Sequence, residues 1–448
     1  MKKGKIFDLH ISGINFSGDG VGEFDGEKYY VKDAIPFEKL KVRFIKEKSG
    51  KKICKVVEKI EDSPILVEPI CNKFKQCGGC TYLNLSYDDQ IKFKSKALID
   101  LFNDNDIVYE KFEGIVKSPK QFNYRNKMEF SFGDEFKGGQ LELGLHKKFN
   151  PFSIVPTYNC HLISEDFRKI IDFVAKYFRE NNVQAYKLKN HEGYLRNLIL
   201  REGKDKILIC LVTSSQQEFD LSDFKERLLN IELCKKIGGI LHVVSDALSD
   251  AISAKEIKCL YGEDYIYEEL FDLKFKISLF SFFQTNTEGM KLLYQKVIDS
   301  VKHINGIILD LYCGIGIIGQ ILSREVKNKI VGIEIVEDAI KMARENAILN
   351  NLECEFIIGD VTQKLENIEK NNISFIIIDP PRAGIGEKGV NNICKFGVEN
   401  IIYVSCNPNT LVKDLKIFLD NGYKVKSVQG VDMFPNTYHV ETIVHLTR

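Results

Sequence analysis

The chain has 448 residues, of which 44% are apolar and 28% charged, and its 63 Lys+Arg are balanced by 63 Asp+Glu. These proportions exclude a disordered or collagenous chain, and no stretch reaches the roughly 20 apolar residues a membrane span requires. More than one core is needed, since single cores stop growing at about 250–300 residues.

The opening MKKGKIFDLH lacks the apolar centre of a signal peptide, so a cytoplasmic protein with no membrane association is expected. Twelve cysteines in a chain of this size, without an export signal, point to metal binding or catalysis rather than a disulfide framework. Overall neutrality hides an asymmetry. Residues 1–60 carry 14 Lys+Arg and 9 Asp+Glu, a net +5, whereas residues 301–448 carry 16 and 18, a net −2. A polyanion belongs at the positive end, although a solvated lysine surface explains that charge equally well by itself.

Residues 1–60 alternate the apolar runs KIFDLHI, KYYVKDAI, KLKVRFI and KICKVVEKI with the turn-rich SGDG, EFDGE and EKSGKK. That spacing predicts a five-stranded barrel of the OB type. Glu61 to Pro69 reads as a linker. Cys71, Cys77 and Cys80 follow, ahead of the helical stretch SYDDQIKFKSKALIDLF. Three thiolates so close together need a fourth to close either a zinc site or an iron–sulfur cubane, and spacing does not choose between them. From about 120 to 280, strand-like NKMEFSF, KILICLVT and GGILHVV alternate with helical DFRKIIDFVAKYFREN, a mixed α+β region. No internal repeat is apparent.

Beyond residue 280 the helical EGMKLLYQKVIDSVKHI leads into GIILDLY, KIVGIEI, CEFIIGD, FIIIDPP and NIIYVSC. Short, continuously apolar strands separated by helices predict a doubly wound α/β domain of Rossmann type, with ligands beyond the carboxyl ends of the strands. The chain thus divides into a barrel at 1–62, a central domain at 63–280 and a C-terminal domain at 281–448.

The glycines of DLYCGIGIIG stand at 314, 316 and 319, the G-x-G-x-x-G spacing that dinucleotide sites also use. Asp310 opens the motif, Glu334 ends the second strand and can hold ribose hydroxyls, and Asp360 ends the third and can accept from an adenine amino group. With Asp310 opening the motif, S-adenosylmethionine is expected here rather than NAD. An ordinary strand-to-helix turn would account for the glycines alone.

The fourth strand ends in Asp379-Pro380-Pro381-Arg382 and the fifth in Ser405-Cys406-Asn407-Pro408. A lone Cys is usually structural. One at the rim of a methyl donor's crevice suits C5 methylation of a pyrimidine, where a thiolate must first add at C6 because C5 is too weak a nucleophile. A base must later take the C5 proton, and Glu441 in YHVET is the candidate.

Together DLYCGIG, IIIDPPRAG, VSCNP and HVET resemble the RNA uracil-5-methyltransferase family. The resemblance spans nearly the whole chain. It implies Cys406 as nucleophile and Glu441 as proton acceptor, with Gln284 of FFQTN, Tyr312, Gly314, Glu334, Asp360 and Asp379 around S-adenosylmethionine. RNA cytosine-5-methyltransferases carry a second cysteine after the fourth-strand Pro, and amino-group methyltransferases an aromatic. Arg382 is neither. The resemblance also implies a [4Fe–4S] cluster on Cys71, Cys77, Cys80 and, in its Val155, Pro156, Leu162 setting, Cys160. A packing role is expected for Cys313.

The barrel resembles a TRAM domain, an RNA-binding module. Arg125, Asn126, Lys127, Arg196 and Arg201 are candidate RNA contacts of the central domain. A barrel and cluster together resemble the 23S ribosomal RNA enzymes. The alternatives are the T-loop uridine of transfer RNA and a non-catalytic RNA-binding protein with a vestigial methyltransferase fold. A monomer is expected.

Overall fold

The computed structural model describes residues 1–302, 306–366, 368 and 372–448. Its first five strands, Ile6–Ile14, Asp19–Phe24, Glu27–Lys32, Lys39–Lys48 and Lys51–Glu61, close into a barrel in the order first, second, third, fifth, fourth. Strict alternation in the first strand turns Phe7, Leu9 and Ile11 inward against Tyr29, Val31, Leu40, Val42 and Phe44. Gly22 makes the closure possible, because a Cβ there would lie 2.4 Å from the His10 carbonyl oxygen.

The central region forms a seven-stranded sheet in the spatial order Glu256–Gly262, Lys236–Val244, Lys206–Thr213, Leu195–Glu202, Lys127–Gly133, Glu142–Lys147, Asn150–Pro156. The helix Glu165–Glu180 covers one face with Phe167, Ile170, Ile171, Val174 and Phe178, a three-and-four spacing that puts them on one stripe. Ser164 caps it by accepting from the Phe167 amide.

The C-terminal sheet has eight strands. Cys354–Ile358, Ile330–Glu334, Ile307–Leu311, Ile373–Ile378 and Asn400–Ser405 lie parallel in that order, followed by antiparallel Glu441–Thr447, then Lys424–Val431 and Tyr109–Val116. The order reverses at Ile307–Leu311, which opens the ligand crevice expected of such a sheet. Its last strand comes from far upstream. YEKFEGIV mixes three charged residues with apolar ones and has no fully buried position, and therefore does not announce itself as part of a buried parallel sheet. The helix Tyr87–Asn103 packs with it into the same core. Among the described residues no helix is long and apolar enough to cross a membrane.

Candidate active site

The glycine turn after Ile307–Leu311 holds Tyr312, Gly314 and Gly316 at positive φ, and a Cβ on Gly314 would meet no atom within 4 Å. Asp310, fully buried, accepts from the Gly319 amide at 3.0 Å and ties the turn to the helix Ile317–Val326. Burial pushes its carboxyl up to about 7. Glu334 closes over the turn from the next strand. Its Oε2 accepts from Gly314 N at 3.2 Å, and its Oε1 from Ile335 N at 2.8 Å and Val336 N at 3.0 Å. Asp360 caps the short helix Val361–Leu365. Burial, then the nearby carboxylates of Asp360, Asp414 and Glu334, push the Tyr312 phenol up to about 12. Tyr312, Gly314, Glu334 and Asp360 therefore surround one crevice.

Gln284 is buried, and its carbonyl accepts from Asn126 Nδ2 at 3.1 Å. Two residues on, Asn286 caps the helix Thr287–Val301 and donates to the Met433 carbonyl at 2.9 Å, which ties the segment to the approach to Glu441. Asp379 leaves its strand with its amide on the Leu311 carbonyl at 3.3 Å, and burial pushes its carboxyl up to about 7.

Strands Asn400–Ser405 and Glu441–Thr447 run antiparallel with Ser405 opposite Thr442. Cys406 directly follows Ser405 and Glu441 directly precedes Thr442, so the two stand at neighbouring strand ends, and the Glu441 charge acts on the Cys406 thiol. Glu441 is 1% exposed, and among the described residues its Oε2 has no hydrogen-bond partner. Burial and then Asp379 push its carboxyl up to about 8, while Arg382 opposes the shift. Burial, then Glu441 and Asp379, push the Cys406 thiol up to about 12, again opposed by Arg382. Asn407 Nδ2 and Thr410 Oγ1 both donate to the Arg382 carbonyl, at 3.1 and 3.3 Å, and latch the Pro-Pro-Arg loop onto the cysteine turn. The guanidinium reaches His439 Nδ1 at 3.3 Å. Burial, aided by Arg382, Lys94 and Arg125, holds His439 down near about 4, so the ring is neutral and accepts that bond.

Cys71, Cys77, Cys80 and Cys160 line one cavity of about 130 Å³, all as free thiols. Burial pushes Cys77 up to about 11 and raises Cys80 and Cys160, and neighbouring cysteines add to each shift. Among the described residues no three His, Cys, Asp or Glu side chains converge tightly enough to hold a single metal ion. Cys313 packs beside Gly332 and Phe356, as expected.

Three candidate RNA contacts are corrected. Arg201 is 1% exposed and donates to the carbonyls of Ser278, Leu279 and Ser281 at 2.6, 3.3 and 2.7 Å, stapling the segment that leads to Gln284. Arg196 is also buried, on the Ser249 carbonyl and over the Tyr186 ring. Both lie on a strand buried on its two faces, where a guanidinium meets the protein interior rather than a surface ligand. Asn126 is buried too. Sequence reasoning missed the fully buried Lys94–Asp432 ion pair at 2.7 Å and the knot around Asn436, which bonds Gln90 and Gln121. The Lys and Gln sit on a helix whose polar residues do not reveal which of them face inward.

A family model described as tRNA (uracil-5-)-methyltransferase matches residues 86–448. The chain belongs to that family. An uncharacterized RNA methyltransferase of Clostridium tetani is 44% identical over 452 residues, covering 100% of this chain and 99% of its own length. One from Caldanaerobacter subterraneus is 42% identical over 447 residues, 99% of each chain. Among solved structures, the Pyrococcus abyssi tRNA (uracil-54, C5)-methyltransferase in complex with S-adenosyl-L-homocysteine aligns with a TM-score of 0.77 and 27% identity. It covers 98% of this chain and 100% of its own. The likeness therefore takes in the barrel and central sheet as well as the methyltransferase sheet.

Proposed function

We propose that this protein uses S-adenosylmethionine to methylate carbon 5 of a uridine in 23S ribosomal RNA. The observation that carries this reading is that Cys406 and Glu441 stand at the ends of two adjoining strands, Glu441 buried, with the charge of Arg382 acting on both. Cys406 loses its proton, aided by Arg382, and its sulfur adds to uracil C6 while the ring electrons move to the C4 oxygen. C5 then carries the electron density that a methyl electrophile meets. Glu441 removes the C5 proton, the C6–S bond breaks, and the 5,6 double bond re-forms.

The crevice fits the cofactor. Open space lies beside Gly314, and the acidic strand ends Glu334, Asp360 and Asp379 would repel a phosphate but welcome ribose hydroxyls, an adenine amine and an ammonium group. Bound there with Gln284 and Tyr312, S-adenosylmethionine supplies the methyl electrophile.

The cysteine cavity we assign to a [4Fe–4S] cluster on Cys71, Cys77, Cys80 and Cys160. Four cysteines lining one cavity supply the thiolates such a cluster needs. The reaction moves no electrons, so its role is structural, and iron and labile-sulfide analysis of anaerobically prepared protein tests it. The barrel, residues 1–62, serves as a TRAM-type RNA module, residues 63–280 grip RNA, and 281–448 perform the chemistry, with Tyr109–Val116 lent to the catalytic sheet. One chain holds every residue the reaction uses, so a cytoplasmic monomer suffices.

Transfer RNA is the second reading. The Pyrococcus abyssi enzyme matches the chain from barrel to C-terminus and acts on tRNA, so the domain plan alone does not select ribosomal RNA. Tritium release from C5-labelled uridine, measured on separate ribosomal and transfer RNA pools, decides between them. Cys406→Ala should abolish release, and release at the wild-type rate would refute the nucleophile.

A further inference from the structure

The turn between strands Glu142–Lys147 and Asn150–Pro156 consists of Lys148 and Phe149, with Lys147 paired to Asn150. Phe149 occupies the second turn position at φ +64, a left-handed conformation that glycine or asparagine normally fills. Its ring is 68% exposed. A bulky aromatic held in an unfavourable backbone conformation, with its ring in solvent, contributes nothing to the core that would offset that cost.

Its surroundings are basic. Lys32 of the barrel places Nζ 4.8 Å from the ring centroid, and Lys148 places its own 5.6 Å away while pairing with Asp33. The hairpin is braced from below by the cysteine segment, since Lys148 N donates to the Gln76 carbonyl at 2.7 Å and Gly78 N to the His146 carbonyl at 3.3 Å. A path of contacts leads from this tip to the reaction centre. Lys32 stands opposite Asp19 on the adjoining barrel strand, a Cβ on the adjacent Gly18 would lie 2.9 Å from the Tyr438 ring, and the Tyr438 and His439 rings meet tilted at 4.2 Å, two residues from Glu441.

We propose that Phe149 is a stacking platform for an unpaired base of the RNA substrate close to the target uridine, with Lys32 and Lys148 neutralising the adjoining phosphates. The proposal rests on the RNA-methylating reading above. Every base offers a π-face, so an exposed ring flanked by ammonium groups suits single-stranded RNA of any local sequence. The exposed Lys32 chain yields the ring face to the base and carries its charge to a phosphate.

The chain contains no tryptophan, so Phe149→Trp creates a single fluorophore at the platform. Titrating F149W with an RNA hairpin bearing an unpaired uridine-rich loop should quench its emission saturably, at the affinity that anisotropy of the labelled RNA reports. Phe149→Gly removes the ring and relieves the backbone, so it should bind this RNA about tenfold more weakly while unfolding at no lower a temperature than wild type. Lys32→Ala should reduce the slope of log affinity against log salt by about one. Unchanged F149W emission at RNA saturation, or wild-type affinity in F149G, would overturn the platform, and the ring would then serve a protein contact. A wild-type chain that binds no RNA would overturn the functional reading along with it.

Discussion

At the scale of single residues, the chemistry turns on Arg382. Burial and then the Asp379 carboxyl push Glu441 upward, burial and then Glu441 and Asp379 push the Cys406 thiol upward, and Arg382 opposes both shifts. Glu441 must be ionised to accept the C5 proton, so kcat/KM should fall as pH drops through about 8. Arg382→Met removes the opposing charge, and the acid limb of the pH–rate profile should move to higher pH. His439 is already neutral, so His439→Gln should leave that limb in place. A limb that does not move in R382M would show that Arg382 does not act electrostatically. The same carboxyl makes a stability prediction. Its folded pKa lies above the unfolded value of about 4.3, so the stability linked to its protonation is complete below that value and is lost as pH rises through about 8. Glu441→Gln, which cannot ionise, should therefore melt above wild type at alkaline pH, and the difference should shrink on acidification, as scanning calorimetry across pH would show.

At the scale of elements, the turn between Lys424–Val431 and Glu441–Thr447 is clamped by the helix Tyr87–Asn103. Lys94, 0% exposed, bonds Asp432 at 2.7 Å and the Phe434 carbonyl at 3.3 Å, and Asn436, at φ +67, is held by Gln90 and Gln121. Lys94→Met strands a buried carboxylate and should cost about 3–5 kcal/mol in denaturant unfolding, whereas adding Asp432→Leu should recover most of that loss. Failure of the double variant to recover would mean that the turn, rather than the charge, needs the lysine. The helix itself is legible in SYDDQIKFKSKALIDLF, but lysines at 92, 94 and 96 carry no mark showing that only the middle one is buried. The five parallel strands are equally legible, since burial on both faces leaves continuous apolar runs. The edge strand Tyr109–Val116 is not, because half of its residues face solvent or the rim. Arg201 misled for a related reason. A guanidinium in LILREG reads as surface unless one knows that carbonyls of Ser278 to Ser281 wait for it 77 to 80 positions away.

At the scale of the whole molecule, the site motifs were legible because they stand at strand ends, where a doubly wound sheet gathers its ligands, while the docking of the barrel onto them was not. Asn409 Nδ2 donates to the Phe16 carbonyl at 3.2 Å over a separation of 393 residues, and no local pattern encodes such a contact. Gly18 lets the barrel loop approach Tyr438, at φ +80 and with 2.9 Å between a built Cβ and the ring. Gly50 is a matched control at φ +72 with nothing within 4 Å of its Cβ. Alanine at either position meets the same backbone penalty, about 1–2 kcal/mol. Only Gly18→Ala also presses on Tyr438, whose ring meets His439 tilted at 4.2 Å, beside Arg382. G18A should therefore lose more unfolding stability than G50A, and at a temperature where both remain folded it alone should lose kcat for RNA methylation at saturating substrate. Equal turnover in G18A and G50A would mean that the barrel delivers RNA without shaping the catalytic turn.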